Sequence, residues 1–264
     1  MRAGLYDLNS EFYVTEASAL FMHSTYGIGT DIAQSGENGP SIFPNTALGV
    51  RIKVAPTPHS YAQFVILDGV AGDPTNQKGT QIDLDKADGT LWVGEAGVTP
   101  RDDTKLAVGV WHYSQEAANP YSQGELLNNG GFYVIGQTKI WTAAGSETQG
   151  VTLFGRIGIA DKRLNQFDTA WSVGVVYDGI FKTRDDGQFG IGLSSARTST
   201  KLLTALQGTD ILLDKSETAL EVTYRDTLGE WLTVQPNFQY IVNPSTDPTV
   251  KNAVVIGVRT VLAF

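Results

Sequence analysis

Near the C-terminus, residues 252–264 (NAVVIGVRTVLAF) alternate: Val254, Ile256, Val258, Thr260, Leu262 and Phe264 share one face of an extended chain, and Ala253, Gly257, Arg259 and Ala263 share the other. A period of two with one apolar and one mixed face, ending on an aromatic, suits a lipid-facing strand of a membrane barrel. A soluble sandwich can bury a strand of the same pattern, so the tail alone leaves both architectures open. Similar segments recur at 230–241, 218–225, 187–197, 169–181, 149–160, 131–141, 105–113, 90–98, 60–67, 47–55 and, less clearly, 2–6. With the tail they predict about twelve strands, each near the roughly 9 to 11 residues that cross a bilayer at a tilt.

The connections alternate as well. Short turns rich in Pro, Asp and Gly are expected at 56–58, 101–103, 144–146, 183–186 and 226–229. Between them lie long connections at 7–46, 68–89, 114–130 and 198–217, and shorter ones at 161–167 and 242–251. Short turns on one side and long loops on the other define an outer-membrane barrel, whereas Greek-key sandwiches have no reason to keep such an order. Leu232, Val234, Phe238 and Tyr240 oppose Thr233, Gln235, Asn237 and Gln239, and the segments at 151–159 and 48–54 repeat the pattern. The polar face holds too many charges and amides for a dry core, which puts the apolar face outside and a wet lumen within. The fold class expected is therefore all-β: a single antiparallel up-and-down transmembrane β-barrel domain over 1–264. Trp92, Trp141, Trp171, Trp231, Tyr177 and Tyr240 fall near strand ends, as an interfacial girdle requires, though aromatics are common in any strand.

Composition narrows the function. No run approaches the roughly 18 apolar residues of a spanning helix, so membrane residence must come from strands. The absence of Cys excludes thiol catalysis, thiolate metal sites and disulfides, and a formal net charge of −9 argues against a nucleic-acid partner. Met1 leads straight into strand-like residues with no targeting segment, so either such a segment has been removed or the sequence begins inside a longer protein. His23, His59 and His112 lack metal-ligand spacing, Ser24 has no nucleophile elbow, and GQFGIGLSS has strand periodicity with no helix after it. No enzyme, metal or cofactor is expected, although a hydrolase site assembled from distant strands stays open. The run DLDKADG resembles a calcium loop, but Ala87 stands where an oxygen ligand is needed, and a solvated acidic loop is the better account.

Alternation sends Arg51, Lys53, Gln63, Glu95, Lys105, Gln137, Lys139, Arg156, Asp178, Gln188, Glu221, Arg225, Gln235, Asn237, Gln239 and Arg259 into the lumen. Of these, Arg51, Lys53, Glu95, Lys139, Arg156, Gln235, Asn237, Gln239 and Arg259 are the candidate pore-lining residues. A wall of amides and guanidinium groups leans towards neutral polar cargo, but any wet wall is polar, and a one-residue slip would turn a whole strand over. Segment 7–46 is far longer than an ordinary connection. Its apolar stretch at 17–22 suits a short helix, and a loop that packs inward would place Asp7, Asn9, Glu11 and Glu16 at a constriction; a surface cap is the alternative.

These residues carry a resemblance. AGLYDLNSEFYVTEASALFMHSTYGIG, GPSIFPNTALGVRIKVAP and YAQFVILDGVAGDP, with the later NFQYIVNP and VVIGVRTVLAF, resemble the carbohydrate-selective porin (OprB) family along essentially the whole chain. The block from DLNSEF to FPNTALG is the specific part. The resemblance implies a channel in the bacterial cell outer membrane with about sixteen strands, contacting lipid and passing small neutral sugars such as glucose by passive diffusion. Sugar hydroxyls would exchange water for side-chain hydrogen bonds in sequence, with Trp111 or Tyr133 stacking on the rings. On that reading the chain resembles the C-terminal two-thirds to three-quarters of a member, about four N-terminal strands short. A homotrimer is expected only by analogy with porins at large. The competing readings are a non-selective porin and a soluble β-rich binding domain, and only the last would stay in solution without detergent.

Overall fold

The computed structural model describes residues 1–73, 82, 84–122, 124–146, 148–181 and 186–263. The alternating segments form β1 (Arg2–Tyr6), β2 (Ala47–Thr57), β3 (Ser60–Asp68), β4 (Thr90–Arg101), β5 (Thr104–Ala118) and β6 (Leu126–Thr142). They continue as β7 (Gly150–Ala160), β8 (Phe167–Asp178), β9 (Gln188–Thr198), β10 (Ser216–Leu228), β11 (Leu232–Val242) and β12 (Ala253–Leu262). Each strand pairs antiparallel with its neighbour in sequence, so the sheet order runs from β1 to β12. Among the described residues β1 and β12 do not pair, and the wall has two edges. It nevertheless curls, because the short stretch 11–27 reaches side chains on β2, β4, β7, β10 and β11 at once.

Pleat and register turn the apolar set outward. Ile52 pairs with Phe64 and Ile66 with Trp92 across neighbouring strands, and all four are exposed, as are Val108, Val110, Val173 and Ile256. A continuous apolar band of this size marks a surface made for lipid or protein rather than water. Aromatics bracket it. Trp141 packs edge-on against Tyr177 at 5.9 Å near the short turns, while Trp92 meets Phe64 at 6.1 Å toward the long loops.

Two expectations need correction. The segment 114–130 is not one long connection: β5 continues to Ala118 and β6 starts at Leu126, with a register shift between His112 and Glu116. Residues 114–118 are exposed on both faces, so no buried face was available to impose a period on the sequence. Nor is the whole inner face wet. Val65, Leu67, Leu91, Val93 and Ile135 point inward and are buried against Leu8, Phe12, Ile28 and Ile32 of the loop 7–46. The loop adds an inner layer, so these positions meet protein rather than solvent. Asp83 of the acidic run and the terminal Phe264 lie outside the described residues.

Candidate functional site

Loop 7–46 runs through three 3-10 turns, Leu8–Ser10, Ala17–Leu20 and Ser24–Tyr26, and then a single helical turn, α1 (Thr30–Ala33). Such short turns leave backbone N–H and C=O groups without internal partners. The wall supplies them. Glu95 on β4, 3% exposed, accepts from the Tyr13 backbone N–H at 2.9 Å and from the Tyr61 and Tyr133 hydroxyls, each at 2.7 Å. Gln63 donates to it at 3.2 Å, and the Lys105 ammonium stands 3.8 Å away. Glu221 on β10, fully buried, accepts the Met22 and His23 N–H groups at 2.7 and 2.9 Å.

Arg156 on β7 does the converse. It donates to the carbonyls of Tyr13 at 3.2 Å and Gly27 at 2.9 Å, tying two limbs of the loop to one guanidinium. Gln137 accepts from the Ala17 N–H, Gln235 donates to the Leu20 carbonyl at 2.6 Å, and Lys105 donates to the Val14 carbonyl at 2.7 Å. Buried charges are tolerated here because each meets oriented backbone dipoles, and hydrogen bonds to charged groups contribute about 1.5–3 kcal/mol each.

Packing follows the same plan. The Tyr13 and Tyr133 rings stack with centroids 4.0 Å apart, and Phe21 stacks on Tyr26 at 4.5 Å. Gly158 on β7 is the recess that admits the loop, since a Cβ there would collide with the Asp31 carboxylate and the Tyr13 hydroxyl. Asp31, 1% exposed, accepts from the Tyr13 hydroxyl at 3.1 Å through Oδ1, while its Oδ2 has no hydrogen-bond partner among the described residues. Burial pushes its carboxyl up to about 7.

The remaining candidates divide by role. Asp7 caps the first turn by accepting from the Asn9 N–H at 3.0 Å, and the Asn9 amide donates to the Gly27 carbonyl at 2.7 Å. Glu11 is bound by Arg51 and by the Tyr6 hydroxyl at 2.5 Å; burial raises its pKa, but these partners outweigh it and hold the carboxyl below the usual range. Asn237 donates to Glu221, and Gln239 donates to Asn237 at 3.0 Å. Lys53 lies over the Tyr61 ring at 4.8 Å. Lys139 and Arg259 line an open cavity of about 680 Å³ toward the short turns, together with Asp178, Gln188 and Arg225. Glu16 is exposed and faces an adjoining cavity of about 340 Å³ that shares Lys139, Asp178 and Gln188.

A third cavity of about 460 Å³ opens toward the long loops, between Gln34, Glu37, Tyr113, Glu116 and Asn165. Trp111 and Tyr133, expected as stacking surfaces for sugars, are 2% and 1% exposed; the loop covers both. Patterning put Glu221 and Gln137 in the lumen without marking them as anchors, and it did not mark Ser194, which accepts from Thr25 at 2.9 Å. A lone inward serine carries no signal in a sequence.

A curled antiparallel meander, apolar outside and crossed inside by a docked loop, defines the wall of an outer-membrane porin barrel. Residues 1–264 match the family described as carbohydrate-selective porin, OprB family, and the chain belongs to it. It is 29% identical over 147 residues to Porin B of Pseudomonas aeruginosa, an alignment covering 51% of this chain and 32% of that protein. The high-pH structure of Pseudomonas putida OprB superposes with a TM-score of 0.80 at 20% identity, covering 99% of this chain and 69% of the other. The low-pH structure of the same protein gives 0.56 at 22% identity, covering 84% and 56%. The chain thus spans about a third of the length of Porin B in that match. The family lies in the bacterial outer membrane.

Proposed function

We propose that this chain forms most of the wall, and the constricting loop, of a channel through which sugars diffuse passively across the outer membrane. The observation that carries the reading is loop 7–46, held across the concave face by buried Glu95, Arg156 and Glu221. A constriction fixed by so many bonds narrows the lumen without closing it by chance motion. Family membership supports sugars as the cargo. Strands beyond this chain would pair with β1 and β12 and complete the barrel, with lipid against the outward band. Lys139, Gln188, Arg225 and Arg259 would then offer hydrogen bonds to cargo leaving on the short-turn side, weak enough to release it.

The test is reconstitution of the channel containing this chain into liposomes and planar bilayers. Glucose uptake faster than that of a non-sugar solute of similar size, with conductance reduced by added sugar, is the expected result. Equal uptake would make it a general porin. A chain that is monodisperse without detergent would remove the membrane reading. The homotrimer is tested by the mass of the solubilised protein.

A further inference from the structure

We infer that solutes pass over the face of loop 7–46 turned away from this wall, and that Asn9, Ser10, Met22 and Ser24 are the positions they touch at the narrowest point. This rests on the channel reading and deepens it. Between loop and wall the way is shut: the stacked Tyr13 and Tyr133 rings, Trp111, Glu95 and Arg156 are each at most 4% exposed. Among the described residues, the cavity toward the long loops shares no lining residue with the two toward the short turns. A route connecting the two ends must therefore skirt the loop on its other side.

That side differs chemically from the docked one. Glu11, Glu95, Arg156 and Glu221 are occupied in holding the loop. Ser10, Met22 and Ser24 are exposed and Asn9 is half-buried, a set of hydroxyl, thioether and amide groups. Two carboxylates of the loop flank this set: Asp7 caps its own turn, and Glu16, exposed, faces the cavity toward the short turns. The face is also held in place, since Asn9 and Arg156 both donate to the Gly27 carbonyl. Asn9, Ser10, Met22 and Ser24 themselves carry no charge, so these four positions give an ion little to replace its hydration shell. A polyhydroxylated neutral solute can exchange water for Asn9, Ser10 and Ser24 one bond at a time and lay its C–H face on Met22.

The chain has no cysteine, which permits a direct test. Ser10→Cys, Met22→Cys and Ser24→Cys are introduced singly into the channel, with Ser18→Cys, 3% exposed against the wall, as the control. Each is treated with a bulky methanethiosulfonate, and sugar flux and ion current are read before treatment, after it, and after reduction. The expected result is a several-fold loss of both at the three exposed positions, restored by reductant, with glucose slowing the labelling and Ser18→Cys unlabelled. Reversal by reductant separates blockage from misfolding. Fully labelled Ser10→Cys, Met22→Cys and Ser24→Cys channels that pass sugar at the parent's rate would overturn the inference and leave the sugar channel standing. A parent that passes ions but no sugar would sink the sugar reading, while loss or survival of the ion current on labelling still decides the route. A parent that conducts nothing overturns both.

Discussion

Glu95→Gln is the sharpest test of how the loop is held. The carboxylate receives four hydrogen bonds: Tyr13 N–H and Tyr133 hydroxyl on Oε2, and Tyr61 hydroxyl and Gln63 amide on Oε1. Glutamine keeps the shape but converts one oxygen into an NH₂ group. Whichever oxygen is lost, two donors then face a donor. Tyrosine hydroxyls can rotate and accept, but the Tyr13 N–H and the Lys105 ammonium cannot. Of the four hydrogen bonds, only that from the Tyr13 N–H joins the loop to the wall, and losing it or its charge assistance costs docking about 1.5–3 kcal/mol. That is a rise on the order of 10- to 100-fold in the undocked population.

The assay is amide hydrogen exchange across 11–17 in detergent-folded protein, with protease nicking within 7–46 as a second readout. Exchange there should accelerate by about that factor while β7 to β11 stay protected. Adding Tyr133→Phe to Glu95→Gln should cost less than Tyr133→Phe alone, because the two share one bond. Exchange at 11–17 within about threefold of the parent would refute the clamp.

Other outcomes follow from the same geometry. Asp31 is buried with a carboxyl raised from 3.8 to about 7, so docking is favoured in full below the ordinary carboxylate range and weakens as pH rises through about 7. Asp31→Asn should flatten that dependence and dock the loop more firmly than the parent at pH 8, by a few kcal/mol at most; a parent whose loop protection, corrected for the intrinsic pH dependence of exchange, does not vary between pH 5 and 8 would count against it. Gly158→Ala should push α1 and Tyr13 off β7 at a cost of about 1–3 kcal/mol, seen as faster exchange over 27–34 with the strands intact. Val108→Lys places a charge on the exposed apolar band and should destabilise the barrel in lipid by about 2 to 4 kcal/mol, whereas a value near zero would mean that this face does not meet hydrocarbon.

The sequence by itself determined the strands, their order and their two faces. Side chains alternate by covalent geometry, so the period of two survives in the sequence wherever one face is buried and the other exposed, as at β7 and β11. It failed at 114–118, where both faces are exposed and nothing selects one residue type over the other. Only the tertiary structure decided what the inward residues do. Arg51, Glu95 and Arg156 read as lumen wall, and so did Glu221, yet each is bonded to a residue of loop 7–46 at a sequence separation of 40 or more. Trp111 and Tyr133 read as surfaces for cargo and are covered by the same loop. Periodicity reports which face a residue is on. Whether that face meets water, solute or another piece of chain depends on long-range packing, which leaves no local signal in the sequence.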